Sequence, residues 1–278
     1  MLYINLNIPR NHAGCLLICL TLMGCGTGSY EENMQASLLH YQNETPFKDM
    51  LPQPAALANG LLSIRLPKMF AQENTYALDE KTSDPRRPDT PLDANRVQPD
   101  FLTLPGHLRT YEHFAQIQDP ADATLGPVYV YVAMIPRRSK TADQLKKQLR
   151  ATLVTRFGEL PPDEEAAKTA ATRRRPGQNA QLVKGVGPWK PHTTANLDGG
   201  TVAWQKIIAQ GPQTIQNYDK ENNVKKLILP GRYILYLRST EDYHIMIAWR
   251  ALWQADEEVQ MEKLADTCVG TVRVGEAE

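Results

Sequence analysis

Chemistry is best sought first between residues 107 and 113. His107 and His113, with Glu112 between them, are residue types that ligate zinc. On one strand their even spacing puts both histidines on one face, but six residues at about 3.3 Å each hold them about 20 Å apart. Ligands of a single zinc ion lie only about 2.0–2.1 Å from it. A straight strand cannot bring the pair to one ion, so surface or half-buried histidines are expected. Lys184-Gly185-Val186-Gly187-Pro188-Trp189 carries a G-x-G core. A phosphate cradle needs successive free backbone N–H groups at the start of a helix; here Pro188 removes one and no third glycine follows, so a turn is expected. No G-x-S-x-G, H-E-x-x-H or G-K-[ST] occurs. A catalytic triad dispersed along the chain would leave no local trace. A hydrolase with a dispersed polar site therefore remains the rival to a non-catalytic role, and no catalytic, cofactor-binding or metal-ligating residue is assigned.

Basic and acidic residues balance at 31 each, so no overall field draws nucleic acid. The strongest basic cluster is Arg173, Arg174 and Arg175 near Lys168. At a membrane it could touch anionic headgroups, at about 1 kcal/mol per charge. Asp163, Glu164 and Glu165 precede it, and a solvated basic turn is the plainer reading. Of the tryptophans, Trp189, Trp204 and Trp249 suit the core, whereas Trp253, beyond the last strand, is the one expected at the surface, where aromatic side chains anchor partner proteins.

Cys15, Cys19 and Cys25 crowd the N-terminus, and only Cys268 lies elsewhere. Residues 13–24 are nearly all apolar, a run of about 12 that is too short to span a bilayer and has the length of a signal core. It ends Leu22-Met23-Gly24-Cys25, which resembles the bacterial lipobox: an apolar residue at −3, a small one at −1, then the modified cysteine. Met23 departs from the small or β-branched residue usual at −2, and Arg10 with His12 makes a thin n-region. The resemblance implies that residues 1–24 are an export signal and that Cys25 is the acylated N-terminus. The mature chain would then be held to a membrane by lipid, facing the periplasm or the cell exterior. Gly26-Thr27-Gly28-Ser29 suits a flexible tether. Cys268 is then the lone free thiol, and oxidative stapling plays no part in the fold.

The elements that must position any site follow from periodicity. A hydrophobic fraction of 42% and a charged fraction of 22% are ordinary for a globular protein. A short helix is expected over 30–41, and a linker over 42–59, which holds Pro46, Pro52 and Pro54. The divisions are thus a signal at 1–24, tether and linker at 25–59, and a globular domain at 60–278. Leu62, Ile64 and Leu66 alternate as in a half-buried strand that Pro67 ends. Residues 71–100, with Pro85, Pro88, Pro91 and Pro99, read as a disordered Pro-rich insertion. A second strand is expected over 106–115. Over 128–135 apolar residues fill both parities, the mark of a strand covered on both faces. Thr141 with Gln144 forms a capping box ahead of Leu145, Leu149, Leu153 and Phe157, with Gly158 as the stop. Strands follow over 202–209, 231–238 and 244–250, the last two as a hairpin. Met261, Leu264, Ala265 and Cys268 then share one helical face, which makes Cys268 a packing residue. This order predicts an α+β fold, a mainly antiparallel sheet with helices packed on it.

Leu62-Ser63-Ile64-Arg65-Leu66-Pro67-Lys68-Met69-Phe70 is similar to the opening strand of Mog1/PsbP-like domains. Residues 233–249, then Leu264-Ala265-Asp266 and Val272-Arg273-Val274, resemble their closing hairpin, helix and terminal strand. The resemblance spans about residues 60–275 and is one of pattern, without a signature motif. It implies an α/β/α sandwich that binds other proteins without catalysis, and it carries over no binding residue. The expectation is a membrane-anchored accessory module whose partners are the lipid membrane, through Cys25, and another protein; no nucleic acid, cofactor or metal is expected.

Overall fold

The computed structural model describes residues 27–71, 74–77, 83–84, 87–91, 94–99, 102–118, 123–160, 184–218, 224–252 and 260–275. The lipobox-like segment, the 168–175 basic cluster and Trp253 lie outside them. The chain divides into two compact units, residues 1–46 and 47–278. In the first, helix α1 (Thr27–Glu44) contains the helix expected over 30–41 and extends it at both ends.

The second unit opens with β1 (Ala55–Leu57), β2 (Leu62–Ile64) and β3 (Asn74–Tyr76). Then come β4 (Ser83–Asp84), β5 (Arg87–Pro91) and the single turn α2 (Ala94–Val97). The long hairpin β6 (His107–Gln118) and β7 (Ala123–Pro136) leads into helix α3 (Ala142–Phe157). After β8 (Gly185–Val186) and β9 (Lys190–Ala195), a second long hairpin is made by β10 (Thr201–Tyr218) and β11 (Val224–Ser239). The chain closes through β12 (Tyr243–Leu252), helix α4 (Met261–Gly270) and β13 (Arg273–Val274).

The main sheet runs β3-β6-β7-β12-β11-β10-β8, with β9 also on β10, and its pairings are antiparallel. The fold is therefore α+β, mainly antiparallel with helices packed on the sheet. β7 is the strand buried on both faces. Val128, Val130, Val132 and Met134 join one apolar core, with Trp249, Met261, Ala265 and the small sheet β1-β2-β13. Tyr129, Tyr131, Ala133 and Ile135 join the other, with Leu145, Leu149, Leu153 and Phe157 of α3. The capping box of α3 is complete: Gln144 N–H donates to Thr141 Oγ1 at 3.2 Å, and Thr141 N–H donates to Gln144 Oε1 at 2.9 Å.

Two expectations need correction. The linker over 42–59 is largely part of the domain, which begins at Phe47. Phe47, Met50 and Leu57 are buried in the core, and Leu51 N–H donates to Leu66 O at 2.7 Å. The prolines there break regular structure, but the apolar residues between them still bury. Nor is the Pro-rich insertion wholly irregular: β3 adds to the edge of β6, β4 pairs with β5, and Tyr76 and Val97 are buried.

Prolines also stand next to the last described pairs of β12. β12 pairs with β7 as far as Ala251↔Val128 and with β11 as far as Leu252↔Gly231. The next residue along each neighbour is a proline, Pro127 and Pro230. The bonds Thr240 N–H to Tyr243 O and Met134 N–H to Gly106 O fix which way each strand's amides point. Carried along the ladders, that alternation aims the missing N–H of both prolines at the side of β12. Pro212, opposite Pro230, lacks its donor on the outer side of β10. Each proline thus spares the ladder of its own hairpin and removes a donor from the neighbouring strand's side. The pairing of β10 with β11 accordingly continues to Tyr218↔Val224, and that of β6 with β7 to Gln118↔Ala123. Replacing Thr141 by alanine should cost about 1 kcal/mol in urea denaturation through loss of the cap. Thr155→Ala, on the exposed side of the same helix, should change stability by less than about 0.5 kcal/mol.

Candidate functional site

The densest partly exposed set of charged groups among the described residues lies where α4 crosses β10 and β11. Glu262 and Asp266, at i and i+4, share one face of α4. Lys206 on β10 stands opposite Tyr236 on β11 and opposite Lys190 on β9. It shares strand parity with Val202, Trp204 and Ile208, so it points toward the α4 side. Its ammonium bridges the acids, 2.8 Å from Glu262 Oε1 and 2.7 Å from Asp266 Oδ1, and stands 5.5 Å from the Tyr236 ring centre. Arg232 reaches Glu262 Oε2 at 2.6 Å. Tyr236 donates to Asp266 Oδ1 at 2.5 Å, and Thr194 Oγ1 donates to the Asp266 carbonyl at 2.9 Å. His192 Nε2 lies 3.1 Å from the same Oδ1, at ion-pair distance but outside hydrogen-bond geometry.

Acid, phenol, imidazole and amine stand side by side, and two of them, Tyr236 and Glu262, have shifted acidities. Burial pushes the Tyr236 phenol far above its usual range, and the charge and hydrogen bond of Asp266 push it further. Burial alone would raise Glu262; the hydrogen bond from Lys206 and the charges of Arg232 and Lys206 outweigh it and hold the carboxyl below the usual value. Both shifts lead away from neutral pH, where a general acid or base must titrate. The cluster works as a clamp that fixes α4 to the sheet.

A second polar group is buried on the α3 side. Glu112 is fully buried, its Oε1 2.8 Å from Arg96 Nε and its Oε2 accepting from Tyr76 OH at 3.0 Å. Thr110 Oγ1 donates to Val97 O. These contacts pin α2 and β3 onto β6. Arg250, also buried, donates from Nε to Gln213 Oε1 at 2.8 Å, with its guanidinium 5.3 Å from the Tyr129 ring centre and 5.8 Å from that of Tyr233.

The two histidines do not share a face. A register shift between His107 and Arg109 breaks the even spacing. His107 stands opposite Ala133 and meets Thr110 Oγ1 at 2.8 Å, whereas His113 stands opposite Val128 and meets the edge of Phe70 on the other side of the sheet. Glu112 is committed to Arg96 and Tyr76. The G-x-G segment is the short strand β8. Gly185 has φ +149°, and a Cβ there would come within 2.6 Å of the Leu160 backbone nitrogen, so close approach to the chain after α3 requires glycine. Trp189 seats its Nε1–H on Lys146 O at 3.1 Å, and Trp204 and Trp249 are buried. Cys268 is fully buried, its Sγ 3.2 Å from Arg65 O, and desolvation raises its thiol well above the usual value. Cys25 lies outside the described residues.

The clamp escaped the sequence reading because its members run from residue 192 to 266 and meet only through strand register. One signal was visible: Lys206 keeps the inward parity of Trp204, an unusual position for a charge.

No family model matches the chain, and no curated protein does. Among solved structures, a crystal structure from Bacteroides thetaiotaomicron VPI-5482 aligns with 82% of this chain and 48% of its own, at 8% identity and a TM-score of 0.26. The chain thus spans about half the length of that structure, a likeness too distant to carry an argument.

Lys206→Met should destabilise the protein by about 1–3 kcal/mol, since it leaves two carboxylates facing each other without their shared cation. The acid limb should change as well. Because Glu262 is depressed in the folded state, its contribution is present above the unfolded value of about 4.3 and is lost as pH falls through the folded one. The mutant should therefore lose less stability between about pH 4.3 and the folded value than the parent does, as read by urea titration at each pH. Cys268 should react slowly with thiol reagents until the protein is denatured, and Cys268→Ala should cost roughly 1 kcal/mol or more. Fast labelling of the native protein would contradict the packing of α4.

Proposed function

We propose that this chain is a lipid-anchored, non-catalytic accessory protein that binds another protein on the periplasmic side of a membrane. The observation that carries the location is the short apolar run ending Leu22-Met23-Gly24-Cys25. Triacylation of Cys25 would bury enough methylene groups for stable attachment, which a single chain does not. Among the described residues no helix is long and apolar enough to cross a membrane. A lipid at Cys25 would supply attachment without one.

The non-catalytic part of the reading draws support from the clamp. Its two groups with shifted acidity are moved away from neutrality, and its carboxylates are matched by Lys206 and Arg232. A periplasmic hydrolase, the rival reading, calls for convergent groups shifted toward neutrality. In cells, Cys25→Ser should abolish palmitate incorporation and release the protein from the membrane fraction. Undiminished labelling of that variant would end the lipoprotein reading.

A further inference from the structure

Helix α1 leaves a row of large apolar side chains in the open. Tyr30, Met34, Leu38 and Tyr41 are 68%, 47%, 54% and 71% exposed. They recur at i, i+4, i+8 and i+11, so at 3.6 residues per turn they fall on one side of the helix within an arc of about 80°. Scattered exposed apolar residues are ordinary on a protein surface; an aligned row along one helix is not.

We infer that this row lies on the bilayer, as a shallow second contact beside the lipid, on a surface of zwitterionic headgroups. The inference rests on the reading of Cys25 as the acylated residue. Thr27, where the helix begins, is two residues beyond Cys25. At about 3.5 Å per residue the first turn starts within about 7 Å of the acyl-bearing backbone. The anchor holds the row at the bilayer at high effective concentration, so a weak contact suffices. Tyr30 and Tyr41 stand at the two ends of the row, with Met34 and Leu38 between them; tyrosine favours the headgroup level.

Charge selects the surface. α1 carries Glu31, Glu32 and Glu44 and no lysine or arginine. Anionic headgroups repel such a helix and zwitterionic ones do not. The same charges disfavour a second copy as the occupant of the row. Copies anchored in one leaflet would pair in parallel, setting Glu31, Glu32 and Glu44 beside their counterparts, and like charges so placed repel.

The test uses the full chain, acylated at Cys25 and reconstituted in phosphatidylcholine vesicles, with and without one-third phosphatidylglycerol. Met34→Cys, Leu38→Cys and Leu39→Cys each receive a nitroxide; Cys268 is buried and does not compete. Leu39 lies about 140° from the centre of the row and serves as the chemically matched control. Accessibility to oxygen is read against accessibility to a water-soluble nickel complex. The inference predicts a several-fold higher oxygen-to-nickel ratio at 34 and 38 than at 39, and a smaller difference with phosphatidylglycerol. Equal, water-like ratios at all three positions with palmitate present on Cys25 would overturn the membrane contact and leave the lipoprotein reading standing. Spin–spin broadening at 38 that disappears on dilution with unlabelled protein would assign the row to a second copy and overturn it too. Absence of palmitate from Cys25 would remove the premise and the inference together.

Discussion

Everything in the second unit depends on covering β7 and β12 on both faces at once. Val130 and Trp249 face one core, Tyr131 and Ala248 the other, and each of these side chains is buried. A sheet apolar on both sides has no stable solvated state on either. α3 covers one side through Leu145, Leu149, Leu153 and Phe157; α4 and β1-β2-β13 cover the other. The antiparallel order follows from the two long hairpins, which are local in sequence, with β12 inserted between them.

The two covers are held differently. α3 is fixed by an apolar stripe and a complete capping box. α4 is short and takes its place through Met261, Ala265 and Cys268 beneath and the Lys206–Glu262–Asp266 bridge at its flank. Gly270 lets its last turn approach the Ala195 carbonyl, where a Cβ would collide with the backbone. The charged residues of this region thus have a structural task, holding α4 against the sheet. The prolines at 127, 212 and 230 turn their missing donors away from their own hairpins, so the β6–β7 and β10–β11 pairings run on past them.

What was legible in the sequence was what local periodicity encodes. The two-sided character of residues 128–135, the box at Thr141 and Gln144, and the buried face holding Cys268 all come from spacings within a few turns or one strand. Two of the differences share one cause. Proline density reads as loss of structure over 42–59 and 71–100, yet Phe47, Met50, Tyr76 and Val97 are buried there because isolated apolar residues can dock on a surface built elsewhere. The shift after His107 has no residue signature and reverses the face of the histidine. The clamp required long-range register, which no local pattern states.

The most direct test of the two-sided sheet is native-state hydrogen exchange at the amides of Val130, Val132, Ile247 and Trp249. One variant weakens each cover: Leu149→Ala beneath α3 and Met261→Ala beneath α4. If both covers are needed for a single cooperative unit, these amides exchange only on global unfolding, and each variant lowers their exchange free energy by as much as it lowers global stability, about 2–5 kcal/mol. Protection that survives unchanged in either variant while global stability falls would show that the sheet stands without that cover, and would contradict the account.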